Sequence, residues 1–453
     1  REQGGAWEGD ETRRVALLRD ALARGAAMVD VELGSPVSDI LLRENREDVA
    51  SQVLVSFHDF DRTPGAAEID RITTDLERLR PRAIKLVTTA RSAEDAARMI
   101  AWNSAARPDG PRRIGFAMGE RGLPSRVLAV AHGAAYTYGA LGDAVAPGQP
   151  SVADLVTLYR VPRLGSETVV YGVAGNPVGH SLSPHMHNPA LAAAEIDAVY
   201  LPFLLESLEE LDGLWNALRL RGLSVTIPLK EEAFRIASER DERSARARAS
   251  NTLVVARAPI AGEDEAEDRR IRPTLRAFNT DFDGVLGPLR TRLEALEGVA
   301  VAVLGNGGAA RGAVEALKDA GAKPMLVYRN IERGTAVARE LGVPGTTFSE
   351  LDVGRHEIIV NATSLGLDPG DPSPLAGASF RPGQIVFDMT YGRETALLRD
   401  ARAAGAKTID GGEMLVAQGL VQFELFTGQK ADAEVFARCY RDGLARRTPA
   451  PKS

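Results

Sequence analysis

Between residues 27 and 140, short apolar runs alternate with longer amphipathic stretches. AAMVDVEL, VLVSFHDF, AIKLVTT, RIGFAMG and AAYTYGA are each bounded by turn-forming or charged residues, with helical segments such as GAAEIDRITTDLERLR between them. This strand-then-helix alternation predicts a parallel sheet, either open or closed into a barrel. APGQPSVADLVTLYRVPRLGSE follows as a Pro/Gly-bearing helix and linker, which places a domain boundary near 163–168. A second α/β run has VVYGVAG, AVYLPF, GLSVTIP and SNTLVVA as its strands. A third unit opens at VAVAVLGNGGAARGAVEALKDAGAKPMLVYRN, where a buried strand feeds a glycine turn and then a helix, so a second boundary falls near 284–298. The chain shows no repeat of solenoid length and no low-complexity tract.

Composition narrows the class. A chain of 453 residues exceeds one core at roughly 100–200 residues per domain, and 44 glycines with 5% aromatics suit an α/β protein rich in βα turns. The net charge of −7 argues against a nucleic-acid partner, because backbone binders gather Lys and Arg on one face. Short arginine clusters, such as that around 244–248, read as a solvated helix face. One cysteine, Cys439, excludes an internal disulfide and a cysteine-built metal cluster, and fits a reducing compartment. No run reaches the ~20 apolar residues of a membrane span, and REQGGAWEGDE is too polar for a signal peptide. A cytoplasmic protein with no membrane partner is expected. Because Arg1 rather than Met stands first, residues upstream of it are expected in the full protein.

The glycine turn carries the first chemistry. Gly305, Gly307 and Ala310 in GNGGAARG match G-x-G-x-x-A directly after a buried strand and before an alanine-rich helix. The first glycine permits the tight turn, the second lets backbone N–H groups approach a pyrophosphate, and the small third residue lets helix and strand pack closely. The following strand, PMLVY, ends in Arg329, with Arg333 one helical turn on. A cation where NAD sites usually place a carboxylate suits a 2′-phosphate. NADP(H) is therefore the expected cofactor, with Glu332 between the arginines as the feature that weakens the preference.

GNPVGHSLSPHMHN, Gly175 to Asn188, holds three of the six histidines. A metal site needs a carboxylate or third ligand beside His185 and His187, whose i, i+2 spacing splays them on a helix; no metal is expected, and His180 and His185 read as capping and packing residues. SVTIPLK (224–230) and FNTDFDG (278–284), with Ser181, Ser183 and Asn251, add hydroxyls, amides, one lysine and one carboxylate. Such a set recognises a small polyol acid through directed hydrogen bonds.

In order, G-N-P-V-x-H-S-x-S-P-x-x-H-N, S-V-T-I-P-x-K, S-N-T, N-T-D-x-x-G, G-N-G-G-A-A-R, N-A-T-S-x-G, D-M-x-Y and G-G-x-x-M-L-x-x-Q resemble shikimate dehydrogenase over 168–446. The resemblance implies a substrate-binding domain over 168–283, completed by about 421–446, and an NADP-binding Rossmann-like domain over 284–420. It implies that Ser181 and Ser183 hold the substrate carboxylate, that Thr226, Asn251 and Gln418 hold ring oxygens, and that Tyr391 lines the pocket. Gly305, Asn306, Gly307, Gly308, Ala309, Ala310, Arg329, Arg333, Asn361 and Thr363 would hold the cofactor, and Lys230 and Asp281 would be the catalytic pair. Elementary chemistry supports the pair: hydride arriving at a ketone puts negative charge on the oxygen, which a nearby ammonium stabilises and protonates. Asp281 would keep that ammonium charged and oriented, with an N-cap as its rival reading. Ser224 stands where many relatives have asparagine, and Tyr328-Arg329-Asn330 replaces the commoner Asn-Arg-Thr.

In the front half, SFHDF puts His58 at a strand end and IKLVTTA puts Lys85 on the next strand. Neighbouring strand ends of a βα barrel face one mouth. A lysine on an apolar strand is costly to bury charged, and the neutral amine forms Schiff bases. With V-D-V-E-L, S-R at 125–126 and A-P-G-Q at 146–149, these segments resemble type I 3-dehydroquinate dehydratase over 1–163. Lys85 would then form an imine with the substrate, His58 would move protons, Arg126 and Gln149 would bind substrate, and Glu32 would support the site. The resemblance covers the latter five strands of an eight-stranded barrel, starting at the segment Glu2 to Gly5, with Gln3 where some relatives have glutamate. A partial (β/α)8-type barrel exposes strand edges, so upstream residues or a second chain are expected to complete it.

The two resemblances together imply a bifunctional shikimate-pathway enzyme whose substrates are 3-dehydroquinate and 3-dehydroshikimate/shikimate, with a homodimer as a candidate assembly. Two other readings stay open: a quinate/shikimate dehydrogenase using NAD, and a non-catalytic sensor that binds a shikimate-like ligand.

Overall fold

The computed structural model describes Trp7, residues 9–36, Ser38, residues 52–142, Ala146, residues 148–257 and residues 273–447. The segment Glu2 to Gly5, with Gln3, lies outside the described residues. The chain divides into two compact units. One comprises Arg1–Val170, Asp197–Leu205 and Glu209–Leu220; the other comprises Tyr171–Ile196, Glu206–Leu208 and Arg221–Ser453.

The first unit is built on four parallel strands in sequence order, β1 (Val29–Glu32), β2 (Val53–His58), β3 (Ala83–Thr89) and β4 (Arg112–Met118). Side chains alternate across a strand, and the two sets are sorted by partner. Val53, Val55, Ile84 and Leu86 pack with Ile69 and Leu76 of the helix Ala66–Arg78 and with Met99 and Trp102 of the helix Ala93–Ser104. That second helix starts at a reciprocal cap between Ser92 and Asp95. The opposite face carries Leu54, Ala83, Val87, Ile114, Phe116 and Met118, and the same parity gives it Asp30, Glu32, Ser56, His58 and Lys85. Register confirms the row, since Glu32 pairs with Ser56 and Ser56 with Lys85.

AAYTYGA departs from the expected strand. Ala135 N–H donates to the Arg113 carbonyl at 2.8 Å, but the Tyr138 carbonyl accepts from Arg126 Nη1 and Thr137 Oγ1 donates to the Arg126 carbonyl. Two of the segment's polar groups are thus taken by Arg126, and among the described residues only an isolated bridge from Ala140 to Ser151 remains of a ladder. The fifth barrel strand of the sequence reading is therefore irregular here.

The strand β6 (Ala198–Leu204) falls in the first unit. β5 (Val169–Gly175) and β7 (Leu220–Val225), which fall mostly in the second unit, and β9 (Thr252–Arg257), β10 (Thr274–Phe278) and β8 (Glu239–Arg240), wholly in it, lie side by side in that order. β9 runs antiparallel to both its neighbours. The short strands β8 and β10 went unread in the sequence because they are brief and partly exposed.

A third sheet has the order β13 (Gly345–Thr347), β12 (Lys323–Tyr328), β11 (Ala300–Leu304), β14 (Ile358–Asn361), β15 (Ile385–Asp388), β16 (Lys407–Ile409), all parallel. Its central strands are apolar on both faces because both are covered. The order reverses between β12 and β14 around β11, and the crevice beyond the carboxyl end of such a strand is where open α/β sheets bind ligands. Gly305 follows β11 with φ +113°, and a Cβ there would sit 2.9 Å from the Ala362 carbonyl, so the turn requires glycine.

The helices Gly411–Thr427 and Ala433–Arg447 close the second unit against the helix Ser183–Ala193. Here the histidine-rich stretch finds its structural reading. His187 is 1% exposed, with its ring 5.2 Å from Phe436, 6.0 Å from Phe426 and 6.3 Å from Phe423. His185 packs under Gly443. Among the described residues no group of three His, Cys, Asp or Glu is placed to hold a metal.

Burial pushes the His187 imidazole down to about 3. A folded-state value below the unfolded one means that the unfolded chain takes up a proton the native state refuses. The stability is therefore present above pH 6.5 and lost as pH falls toward 3, by about 2 kcal/mol between pH 7 and 5. Urea unfolding at those two pH values should show this loss, and His187→Leu should remove it; an equal loss in both proteins would refute the assignment.

Candidate active sites

In the second unit a cavity of about 950 Å³ is lined by Ser181, Thr226, Lys230, Asp281, Tyr391 and Gln418 on one side and by Gly307, Gly308, Ala309, Arg333 and Thr363 on the other. Lys230 opens the helix Lys230–Ile236 and Asp281 opens the helix Asp281–Arg290. Lys230 Nζ donates to Asp281 Oδ2 at 2.6 Å, with the lysine side chain 15% exposed and the aspartate fully buried. The helix N-terminus favours the carboxylate. Thr280, not Asp281, occupies the N-cap, so the N-cap reading of Asp281 does not hold.

The nucleotide helix, Gly308–Asp319, is fitted to this pair. A Cβ on Gly308 would lie 2.9 Å from Lys230 Cβ, and one on Gly312 would lie 3.2 Å from Asp281 Cβ. Two glycines four residues apart thus let the helix lie against both charged residues.

Asn251 stands behind the pair rather than in the cavity lining. It is 1% exposed; its Nδ2 is 2.9 Å from Asp281 Oδ1, from Gln418 Oε1 and from Thr280 Oγ1, and its Oδ1 accepts from Thr280 N–H at 2.8 Å. Asn251 therefore fixes Asp281 and Gln418 relative to each other. Gln422, one turn beyond Gln418, was missed in the sequence: it accepts from Ser224 Oγ at 2.7 Å and donates to Thr252 Oγ1 at 3.0 Å. This gives the serine at 224 a partner on the helix Gly411–Thr427. Ser183 is buried beside Ser181, its N–H 3.2 Å from Ser181 Oγ.

The residues expected to hold a dinucleotide divide in the same way. Nothing lies within 4 Å of a Cβ built on Gly307, so the helix start faces open space, and the first N–H groups of that helix are free for an anion. Ala310 and Asn361 are fully buried. Asn361 donates to Asp388 Oδ1 at 2.9 Å and accepts from Thr363 Oγ1 at 2.7 Å, so it shapes the loop that brings Thr363 to the cavity. Burial raises the Asp388 carboxyl. Arg329 is exposed, and it, Gly305 and Asn306 lie outside the cavity lining. An open glycine turn, an uncapped helix start and two arginines suit a phosphorylated dinucleotide.

In the first unit Lys85 is 8% exposed and its Nζ donates to Asp30 Oδ2 at 2.5 Å, with the Tyr138 ring centroid 5.4 Å away. The carboxylate at Lys85 is thus Asp30, which the sequence had not singled out. Glu32 pairs with Arg14 at 3.6 Å. The His58 imidazole is held below its ordinary value by burial first and by the Lys85 charge second, against opposing pulls from Asp30 and Glu32. It is thus neutral at pH 7 and able to take a proton. Arg126 is 2% exposed, its guanidinium 4.2 Å from the Phe116 ring centroid and lowered to about 10 by burial. Burial, then Asp30, raises the Tyr138 phenol to about 12. Gln149 is half-buried.

The fold and the two sites define a class: a βα unit with a lysine-centred site, joined to an α/β unit with a dinucleotide turn and a lysine-aspartate pair. Residues 1–165 match the family model of type I 3-dehydroquinase, 173–253 that of the shikimate dehydrogenase substrate binding domain, and 411–438 that of the shikimate 5′-dehydrogenase C-terminal domain. The chain is 33% identical to the chloroplastic bifunctional 3-dehydroquinate dehydratase/shikimate dehydrogenase of Arabidopsis thaliana, over 96% of this chain and 73% of that one. It is 38% identical to the shikimate dehydrogenase (NADP(+)) of Methanothrix thermoacetophila, over 61% of this chain and 98% of the relative. The crystal structure of shikimate dehydrogenase from Aquifex aeolicus matches with a TM-score of 0.55 at 32% identity, covering 62% of this chain and all of that one. The chain belongs to the bifunctional 3-dehydroquinate dehydratase/shikimate dehydrogenase family.

Proposed function

We infer that this chain catalyses two consecutive steps of the shikimate pathway: dehydration of 3-dehydroquinate in residues 1–163, and NADPH-dependent reduction of the resulting 3-dehydroshikimate in residues 168–446. The substrate domain is assigned to 168–283 with about 421–446, and the NADP domain to 284–420. The observation that carries the reading is the Lys230–Asp281 pair at 2.6 Å, facing a cavity it shares with the glycine turn.

Bound NADPH supplies the hydride. As charge grows on the substrate oxygen, the Lys230 ammonium stabilises it and gives it a proton. Asp281 keeps the ammonium oriented, and Asn251 holds Asp281 and Gln418 in place. Ser181, Thr226 and Tyr391 line the space for the ring, and Arg329 and Arg333 would hold the 2′-phosphate. In the first unit Lys85 attacks the ketone of 3-dehydroquinate, releasing water as the imine forms, and the neutral His58 takes the proton whose loss precedes departure of the hydroxyl. The single cysteine and polar surface support a cytoplasmic setting.

Spectrophotometric turnover of shikimate with NADP and then with NAD tests the second activity. NADP should be preferred, and Arg329→Ala should raise its KM about tenfold while leaving that for NAD near its original value. An unchanged KM for NADP would reject the phosphate assignment and favour the NAD-using quinate/shikimate dehydrogenase.

A further inference from the structure

The cavity holds a second pair of opposite charges. Glu231 and Arg333 both line it, and Arg333 Nη2 stands 3.5 Å from Glu231 Oε1. Glu231 is the second residue of the helix that begins with Lys230; Arg333 lies in the first turn of the helix Ile331–Leu341. The start of that helix is crowded with positive charge. Arg329 and Arg333 flank it, and the helix N-terminus carries a partial positive charge of its own, which cations oppose. Asn330 caps the Arg333 N–H at 2.9 Å but brings no charge, and Glu332 is the one acidic residue of the first turn. Glu231 supplies the further carboxylate from across the cavity.

We propose that Glu231 determines how strongly the site discriminates in favour of a phosphorylated dinucleotide. Its carboxylate holds Arg333 as an internal substitute for the 2′-phosphate, and the phosphate binds by displacing it. This rests on the NADP reading above and extends it to a residue outside the glycine turn. Both side chains keep much of their exposure, 61% for Arg333 and 47% for Glu231, so releasing the pair changes an equilibrium by roughly 1.5- to 5-fold rather than by orders of magnitude. An unphosphorylated nucleotide has no reason to displace Glu231, so the effect is confined to ligands that carry the extra phosphate.

Calorimetric titration of the full chain with adenosine 2′,5′-bisphosphate and with AMP, which lacks the 2′-phosphate, reads this directly. Glu231→Gln should tighten bisphosphate binding about two- to fivefold and leave AMP unchanged. In an Arg333→Ala background the same substitution should have no effect, because its partner is gone. The proposal is overturned if Glu231→Gln changes neither ligand, changes both equally, or acts undiminished without Arg333. Failure of the NADP reading has its own signature: the unmodified chain binds the bisphosphate no tighter than AMP, and the proposal falls with it.

Discussion

Lys230→Ala is expected to lower kcat for shikimate oxidation about 100- to 10,000-fold while KM moves by less than about threefold. The asymmetry follows from when the ammonium is needed. A neutral substrate oxygen gains little from it in the ground state, whereas the charge that develops in the transition state meets a cation already held 2.6 Å from Asp281. The pair is poorly explained as a device for stability, because desolvating two charges offsets much of their attraction. Asp281 is fully buried, so removing the lysine alone leaves a buried carboxylate uncompensated and costs about 3–5 kcal/mol. The double variant Lys230→Ala with Asp281→Asn relieves that cost and should be equally slow. Steady-state kinetics and melting measured on both separate lost chemistry from lost folding. Unchanged turnover in Lys230→Ala would take the lysine out of the chemistry, whereas no turnover by the unmodified chain would revive the non-catalytic sensor.

What the sequence disclosed depended on how far apart the interacting residues lie. The glycine turn was legible because its strand, its glycines and its helix are contiguous, and the packing of one element on the next is a local matter. The Lys230–Asp281 pair was legible through the resemblance that S-V-T-I-P-x-K and N-T-D-x-x-G carry, because a lysine after a turn reads alone as a surface residue. By contrast, Asn251 meets Gln418 across 167 residues and Gln422 meets the Asn251 carbonyl across 171. No periodicity announces such contacts, so the hydrogen bonds of Asn251 to Asp281 and Gln418 were not foreseen beside its expected role at the substrate ring. On the first sheet, alternation placed Asp30 and Glu32 on one face alike, and only the fold shows that Asp30 reaches Lys85 while Glu32 turns to Arg14. AAYTYGA had the apolar pattern of a strand; Arg126 took two of its polar groups, and that competition is invisible in the pattern. Glu231 and Arg333 lie 102 residues apart; Arg333 was read as a phosphate ligand, and Glu231 carried no signal of its own.

Borohydride added with 3-dehydroquinate is expected to fix the substrate covalently on Lys85, and Lys85→Met to abolish that adduct. The strand alternation makes the chemistry possible, since Asp30, His58 and Lys85 share one face of the four-stranded sheet. Attack on the ketone requires the amine to give up its extra proton, and Asp30, 2.5 Å away, is placed to receive it. Once the imine forms, the next need is a base, and burial, the largest cause that lowers the His58 imidazole, does not depend on the Lys85 ammonium. The two residues should therefore separate cleanly. His58→Ala should still trap substrate on Lys85 yet turn it over about 100- to 10,000-fold more slowly, because imine formation precedes the proton transfer it performs. Mass spectrometry of the digested protein locates the adduct, and absorbance of the conjugated product follows turnover. An adduct that survives in Lys85→Met, or none at all on the unmodified chain, would show that this face does not use its lysine as a nucleophile.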